Sequence, residues 1–109
     1  MYQVLHYSQR GGAFFGRETQ SLDEAKEKFE ELVLIALDKY VKSMDEIVFD
    51  KAIKRTQVHG YPFDNAVVTK LSDYCYKIVE EDLSDRSNGE RHFHEQKVLI
   101  REIQINELL

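Results

Sequence analysis

The clearest pattern along the chain is a run of apolar residues at helical spacing that begins after Ser21. Apolar positions recur every three or four residues, and charged residues fill the opposite side, as in an amphipathic helix. These positions are Leu22, Ala25, Phe29, Leu32, Val33, Ala36, Leu37, Tyr40, Val41 and Met44. Residues 21–24 (S-L-D-E) also have the composition of a capping box. The pattern predicts one long helix that begins at Ser21 and ends near Ser43.

A second capping box, residues 43–46 (S-M-D-E), lies where the long helix is expected to end. It predicts a short second helix with Phe49, Ala52 and Ile53 on its apolar side. Residues 46–49 (E-I-V-F) also suit a strand, so both interpretations stay open. Gly60 and Pro62 end whatever element precedes them.

Segments rich in β-branched and aromatic residues lie on both sides of the helix and predict strands. Residues 2–8 and 13–19 flank Gly11-Gly12 and form an N-terminal hairpin in this interpretation. Residues 66–81 have helical spacing too, but their composition favours a hairpin of strands 67–71 and 74–81. A polar turn with Asn88-Gly89 precedes a last strand over residues 93–105.

This order of elements predicts an α+β fold with two layers. A mainly antiparallel sheet of four or five strands would pack against the long helix, with the short second helix beside it, because a one-sided sheet needs a partner layer. The chain has 109 residues, of which 42% are hydrophobic and 32% charged. We therefore expect a single domain over residues 1–109 with one modest core.

Charge and composition restrict the cellular compartment and the classes of partner that we expect. The formal net charge is −5, which disfavours a broad basic face for nucleic acid. Cys75 is the only cysteine, so no internal disulfide can form, which fits a reducing compartment. The longest apolar run, residues 32–37, is too short to span a bilayer, and residues 1–4 do not resemble a signal peptide. We expect a cytoplasmic protein without membrane contact.

His92 and His94 are the most suggestive local motif for metal chemistry. Residues two apart in a strand point to the same side, so both imidazoles could share a metal, with Glu90 or Glu95 as a third ligand. A catalytic zinc site normally has three protein ligands, and the sequence specifies no third one. We expect neither a metal nor a cofactor, and a metal-dependent or hydrolytic enzyme centred on this pair is an alternative.

Other catalytic motifs are absent from the sequence. Cys75 could be a nucleophile beside a histidine, but a lone cysteine among apolar residues is typically a small buried hydrophobe. Gly11, Gly12 and Gly16 match neither a dinucleotide-binding fingerprint nor a phosphate-binding loop. No serine lies in a Gly-x-Ser-x-Gly elbow. The sequence therefore predicts a protein that is not an enzyme.

A nucleic-acid-binding protein is a second alternative. Lys51, Lys54 and Arg55 would form a small basic helix face. Rings on the sheet could stack bases, as single-strand binders do; the candidates are Tyr2, Tyr7, Phe14, Phe15, Tyr74 and Tyr76. Too few positive groups cluster to neutralise many phosphates, so direct nucleic-acid binding is disfavoured.

The acidic residues are the better candidates for partner contacts. Acids crowd the start of the long helix and extend past the first turn, further than the helix dipole requires. The expected contacts are Glu27, Glu30, Glu31, Glu80, Glu81 and Asp82, with Arg86 and Arg91 of the polar turn. A charge run is often just a solvated face. The functional hypothesis is that these carboxylates meet a basic surface on a partner, such as one that normally holds nucleic acid.

Residues 16–32 (G-R-E-T-Q-S-L-D-E-A-K-E-K-F-E-E-L) resemble small proteins encoded by phages and other mobile elements. Residues 73–103, with Y-C-Y-K-I-V-E-E and K-V-L-I-R-E-I, resemble them too. Such proteins include inhibitors of host defence, anti-CRISPR proteins among them. The resemblance implies a compact binder that inhibits or regulates a host protein complex. A homodimer is also open, since small sheets can pair through edge strands.

Overall fold

The structure is a computed structural model that describes residues 1–9, 14–82 and 92–103. In these ranges it has one α-helix, α1 (Leu22–Ala36), and six strands. The strands are β1 (Tyr2–Ser8), β2 (Phe14–Thr19), β3 (Ala52–Lys54), β4 (Asn65–Ser72), β5 (Cys75–Asp82) and β6 (His92–Glu102). They form one sheet in the order β2-β1-β6-β5-β4-β3, and all neighbours are antiparallel. The α+β class is confirmed, with more strands than the expected four or five.

The core lies between α1 and one face of the sheet. Helix α1 packs against β1, β2 and β6. Its first turn is capped as the sequence predicts, because the Ser21 hydroxyl accepts a hydrogen bond from the Glu24 amide at 3.1 Å. The buried helix residues are Ala25, Phe29, Leu32, Val33 and Ala36, and from the sheet Val4, Ala66, Val68, Ile78 and Val98 join them.

Helix α1 is shorter than predicted. It ends at Ala36, and a turn over residues 37–40 replaces its expected last part. The amides of Tyr40 and Val41 both donate to the Leu37 carbonyl, at 2.9 and 3.0 Å. These turns keep Leu37, Tyr40 and Val41 buried, so the apolar periodicity continues although the regular helix has ended.

The predicted second helix is wrong. Only a single 3₁₀ turn, Met44–Glu46, forms there. The Glu46 carboxylate accepts hydrogen bonds from the backbone amides of Lys42 and Ser43. The glutamate thus bonds as in a capping box, although no α-helix follows it. Asp50 has φ 61°, a left-handed conformation that no α-helix can include.

The chain after Asp50 joins the sheet. Phe49 bridges to Val68, and β3 pairs with β4 through Ala52, Ile53 and Lys54. Pairing to β4 satisfies backbone groups that a short helix would leave open at both ends. Neither interpretation of residues 46–49 describes the structure, because Glu46 belongs to the 3₁₀ turn and only Phe49 makes an isolated β-bridge.

Both predicted hairpins are present. Strands β1 and β2 pair from Tyr2↔Thr19 to Tyr7↔Phe14, and β4 and β5 pair around a turn at residues 73–74. Residues 66–81 are therefore a hairpin and not a helix. The turns predicted at Gly11-Gly12 and Asn88-Gly89 lie outside the described residues, as does the end of the last predicted strand beyond Ile103. Within the described ranges, no helix is long and apolar enough to cross a membrane.

Candidate functional site

The face of the sheet that packs on α1 changes from apolar to polar along β5 and β6. In the register of this pair, three successive rows on that face are Tyr76↔Val98, Ile78↔Gln96 and Glu80↔His94. Strand side chains alternate between faces, so these residues share one side. Glu80 and His94 therefore lie opposite each other at the polar end of the row that begins in the core.

The Glu80 carboxylate is the centre of a buried hydrogen-bond cluster. Only 1% of Glu80 is exposed. Its Oε1 accepts from His94 Nδ1 at 2.9 Å and from Gln96 Nε2 at 2.8 Å. Its Oε2 accepts from the hydroxyl of Tyr40 at 2.7 Å and from that of Tyr61. Four donors thus satisfy a charged group that would be costly to bury unpaired.

Tyr40 lies in a turn and Tyr61 in a loop, and these two segments are hydrogen-bonded to each other. The Arg55 guanidinium donates to the carbonyls of Val58 and Tyr61, both at 2.7 Å, and so fixes the loop that carries Tyr61. The Thr56 amide donates to the Lys39 carbonyl at 2.8 Å, which ties this loop to the turn that carries Tyr40. The two hydroxyls therefore reach Glu80 from segments that β-sheet pairing alone does not position.

Burial and the neighbouring carboxylate both act on the two phenols. Burial raises the pKa of Tyr40 well above its ordinary value, and the hydrogen bond to Glu80 raises it further. The same two causes, in the same order, raise the pKa of Tyr61. Both phenols therefore keep their protons, and remain donors to Glu80, into strongly alkaline solution.

A hydrogen-bonded chain runs from Glu80 through His94 to Ser8. Because the carboxylate only accepts, His94 carries its proton on Nδ1, and in the neutral ring Nε2 is then an acceptor. The Ser8 hydroxyl lies 2.8 Å from this Nε2 and donates to it. A parallel branch runs through Gln96, whose Oε1 lies 2.7 Å from His6 Nε2.

Phe63 shields this cluster from solvent. Its ring is stacked on the His94 imidazole, with a centroid distance of 5.7 Å and an interplanar angle of 26°. The Tyr61 ring meets Phe63 edge-on, also at 5.7 Å. Phe63 is itself buried. The imidazole is thus held by a ring on its face and by hydrogen bonds at both nitrogens.

The second candidate site is an acidic helix face, which we define as Asp23, Glu24, Glu27, Glu30 and Glu31. All five side chains are exposed. At about 100° per residue they occupy an arc of about 120° on α1, and the buried residues of the helix lie on the opposite side. Lys28 pairs with Glu31 at 3.4 Å, but both side chains are about half exposed, so this ion pair only partly offsets the negative charge.

The predicted acidic contacts in β5 divide between two environments. Glu80 does not belong to an exposed patch, because strand alternation turns it towards α1 and buries it. That prediction is wrong for Glu80. Glu81 and Asp82 are half-buried, and Arg86 and Arg91 lie outside the described residues. Glu27, Glu30 and Glu31 remain candidates on the acidic helix face.

A groove adjoins the acidic helix face. It has a volume of about 200 Å³ between α1 and the β4–β5 hairpin. Its lining residues are Lys26, Phe29, Glu30, Met44, Asp73, Tyr74 and Tyr76. Lys26 Nζ lies 5.8 Å from the centre of the Tyr74 ring. Aromatic walls and carboxylates suit cationic side chains, and two lysines of this chain already use them, since Lys26 lies over Tyr74 and Lys70 pairs with Asp73 at 3.1 Å.

The histidine pair does not have the arrangement that the metal hypothesis requires. His92 is exposed and His94 is buried, with both ring nitrogens of His94 engaged by Glu80 and Ser8. Glu95 follows His94 in β6 and points to the other face, and Glu90 lies outside the described residues. In the part of the chain that the structure describes, no group of three or more His, Cys, Asp or Glu residues could hold a metal ion.

The predicted basic helix face is not formed either. Lys51 precedes β3 and Lys54 is its last residue, and both are exposed. The Arg55 guanidinium donates to loop carbonyls and forms an ion pair with Asp64 at 3.9 Å. Tyr76 is buried, so the rings do not all share an open platform. Cys75 is a half-buried free thiol at the start of β5.

No protein-family model, no curated protein and no solved structure matches this chain. Sequence reasoning missed the Glu80 cluster, although one signal for it was present. Glu80 continues the alternation of Tyr76 and Ile78, and His94 continues that of Gln96 and Val98. A charged residue in phase with buried positions of a strand indicates a buried polar site.

Proposed function

We propose that the protein is a small non-enzymatic binding module that docks through its acidic helix face onto a basic surface of a partner protein. The observation that carries the proposal is the arc of five exposed carboxylates directly opposite the buried side of α1. A rigid helix that packs on the sheet presents this charge as a fixed pattern, which favours complementarity to one partner.

Ile35 extends the acidic helix face with an apolar contact. It lies four residues after Glu31, nearly in line with Glu24 and Glu31 on the helix surface. Its exposed fraction is 62%, which is high for an isoleucine. Interfaces commonly combine an apolar anchor with a charged rim. Carboxylates would steer the encounter, and Ile35 would lose water on docking.

The groove beside Glu30 supports a partner with exposed arginine or lysine side chains. A cationic side chain that enters it would replace Lys26 at the Tyr74 ring and compete with Lys70 for Asp73, and the Glu30 carboxylate would be its main partner. Arginine suits such a place best, because its guanidinium stacks on rings and pairs with carboxylates.

The class of partner that we propose is a cytoplasmic host protein or complex whose basic surface holds nucleic acid. Occupying that surface would inhibit or regulate the complex without any catalysis. The resemblance of residues 16–32 and 73–103 to mobile-element proteins, anti-CRISPR inhibitors among them, favours this class. The net charge of −5 suits a competitor for a nucleic-acid site.

Affinity capture from the native host, followed by mass spectrometry, would identify the partner. The decisive comparison is a triple charge reversal, Glu27→Lys, Glu30→Lys and Glu31→Lys, against the matched reversal Glu18→Lys, Glu95→Lys and Glu102→Lys on exposed strand positions. We expect the helix variant to lose affinity at least tenfold and to lose the salt dependence of binding, and the strand variant to bind normally. Equal affinity of both variants for the captured partner would refute the proposal.

A further inference from the structure

We propose that two copies of this chain form a weak, reversible dimer through the face of the sheet that does not carry α1. This interaction goes beyond the binding function proposed above and uses the opposite side of the sheet. The partner is a second copy, because the charges of this face pair with themselves under a two-fold rotation. In such a dimer both acidic helix faces point outward and stay free to bind.

One face of the sheet is taken by the rest of the fold. Helix α1, the turn after it and the loop before β4 all lie against that face. We call the part of the other face on β5 and β6 the open face and define it as Lys77, Val79, Phe93, Glu95, Lys97 and Leu99. None of these six residues is buried, and the Phe93 side chain is 49% exposed. The neighbouring Leu5 of β1 is buried and so lies outside this surface.

The charges of the open face are unpaired within the chain. Lys77 and Lys97 lie directly opposite each other in the β5–β6 pair, and Glu95 lies in the next row, opposite Val79. Over the ranges that the structure describes, none of these three charged side chains forms an ion pair. Like charges directly opposite each other destabilise an antiparallel pair. A carboxylate supplied from outside the chain would therefore stabilise this row.

A two-fold axis that runs across the strands at the level of Gln96 makes the open face complementary to itself. The rotation reverses the strand direction, so position 97 of one copy faces position 95 of the other, and position 99 faces position 93. Lys97 then meets Glu95 of the other copy, once on each side of the axis. Leu99 meets Phe93 in the same way. Opposite charges and apolar groups are thus matched at the same time.

The lysine row selects this orientation over the other simple one. An axis parallel to the strands would place the row of Lys77 and Lys97 on the same row of the second copy, which is repulsive. In the favourable orientation Lys77 lies only one strand, about 5 Å, to the side of Glu95 of the other copy, within reach of its long side chain. The strands of the two sheets are then nearly aligned, as in common face-to-face sheet packing.

The size of the surface limits the strength of the dimer. Strands β4, β5 and β6 with the end of β1, about 4.8 Å apart and about 20 Å long, give a flat area of roughly 400 Å² per copy. A standard interface buries about 800 Å² per partner. We therefore expect a dissociation constant of about 10–100 µM, so the chain is monomeric at the low-micromolar concentrations that suit unfolding and partner-binding measurements.

Sedimentation equilibrium of the full chain between about 10 µM and about 1 mM tests the proposal, and the wild type should change from monomer to dimer over this range. Lys97→Glu and Glu95→Lys each place like charges opposite each other and should weaken the dimer about tenfold or more. These two variants change the net charge in opposite directions, so net charge alone does not explain a loss in both. Lys51→Glu, at an exposed position before β3, should dimerise like the wild type.

An equimolar mixture of Lys97→Glu and Glu95→Lys tests the two-fold arrangement itself. One variant has glutamate at both positions and the other has lysine at both, so every contact across the axis joins opposite charges and a heterodimer should form. The double swap, with both substitutions in one chain, should dimerise within about threefold of the wild type.

The wild-type measurement needs no variant, and circular dichroism checks that each variant is folded. A wild type that stays monomeric up to about 1 mM would overturn the proposal. A dimer that neither single reversal weakens would also overturn it, because the contact would then lie elsewhere, for example at a sheet edge. So would a mixture of the two single variants that stays monomeric, because positions 95 and 97 would then not face each other.

Discussion

Glu80 and His94 face each other across the β5–β6 pair, with Glu80 Oε1 2.9 Å from His94 Nδ1. Around this contact the sheet, the turn after α1 and the loop before β4 meet, because Tyr40 and Tyr61 donate to the same carboxylate. One buried charge thus connects segments that are far apart in the sequence. The stability of the fold therefore depends on it.

Replacing Glu80 by glutamine should destabilise the protein strongly. The amide nitrogen would face donors where the carboxylate accepts, and at least one of the four hydrogen bonds would be lost in a buried site. We expect the free energy of unfolding to fall by about 3 kcal/mol. Urea unfolding followed by circular dichroism measures this. Glu95→Gln, at an exposed position of β6, should change it by less than about 0.5 kcal/mol.

Stability should decline in alkaline solution because of Tyr40 and Tyr61. Both phenols have a pKa above the ordinary value of 10.0, so above about pH 10 the unfolded chain releases protons that the folded protein keeps. The unfolded state then binds fewer protons, and the free energy of unfolding falls as the pH rises, by up to about 1.4 kcal/mol per pH unit for each tyrosine.

Urea unfolding between about pH 8 and pH 11 measures this slope. Tyr40→Phe removes one of the two groups and should make the slope shallower. Tyr74→Phe removes an exposed tyrosine and should leave the slope as in the wild type. An identical slope in Tyr40→Phe and the wild type would contradict the assignment.

Removing the Phe29 ring should show that the α1–sheet contact is the main core. Phe29 is 4% exposed and meets the Tyr76 ring edge-on at a centroid distance of 4.9 Å. We expect Phe29→Ala to lower the free energy of unfolding by about 3–5 kcal/mol through lost burial and a cavity. Ile35→Ala, on the exposed side of the same helix, should lower the free energy of unfolding by less than about 0.5 kcal/mol. A similar loss in both variants would contradict the orientation of α1 in which Phe29 faces the sheet and Ile35 faces solvent.

The N-cap hydrogen bond of α1 should make a measurable contribution to the free energy of unfolding. Ser21→Ala removes the acceptor of the Glu24 amide and should lower the free energy of unfolding by about 1 kcal/mol. Ser21→Asp should restore most of this, because its carboxylate accepts the same amide and lies favourably at the helix N-terminus. Thermal unfolding of the three proteins compares them. If Ser21→Asp were as unstable as Ser21→Ala, the hydrogen bond would not be the cause.

Patterns within a few neighbouring residues correctly predicted those helices and strands whose formation is determined by local interactions. The start of α1 follows from the serine at position 21 and the apolar spacing after it, and the strands of the β4–β5 hairpin follow from β-branched residues around Ser72. The second capping box has the same local pattern as the first, but the α-helix that it predicts does not form. Its box chemistry forms at Glu46, but pairing of residues 52–54 with β4 outweighs a short helix.

The sequence by itself determined the α+β class, the start of the helix, the hairpins and the surface charge of α1, because each depends on spacing within a few residues. Only the tertiary structure decided that Glu80 is buried, that Tyr40 and Tyr61 reach it, and that Ser8 meets His94. The physical reason is that alternation along one strand can place Glu80 on the buried face, but it does not specify which donors from other segments reach its carboxylate. Strand register and loop placement decide this, and they join residues as distant in the sequence as Ser8 and His94, which are 86 positions apart.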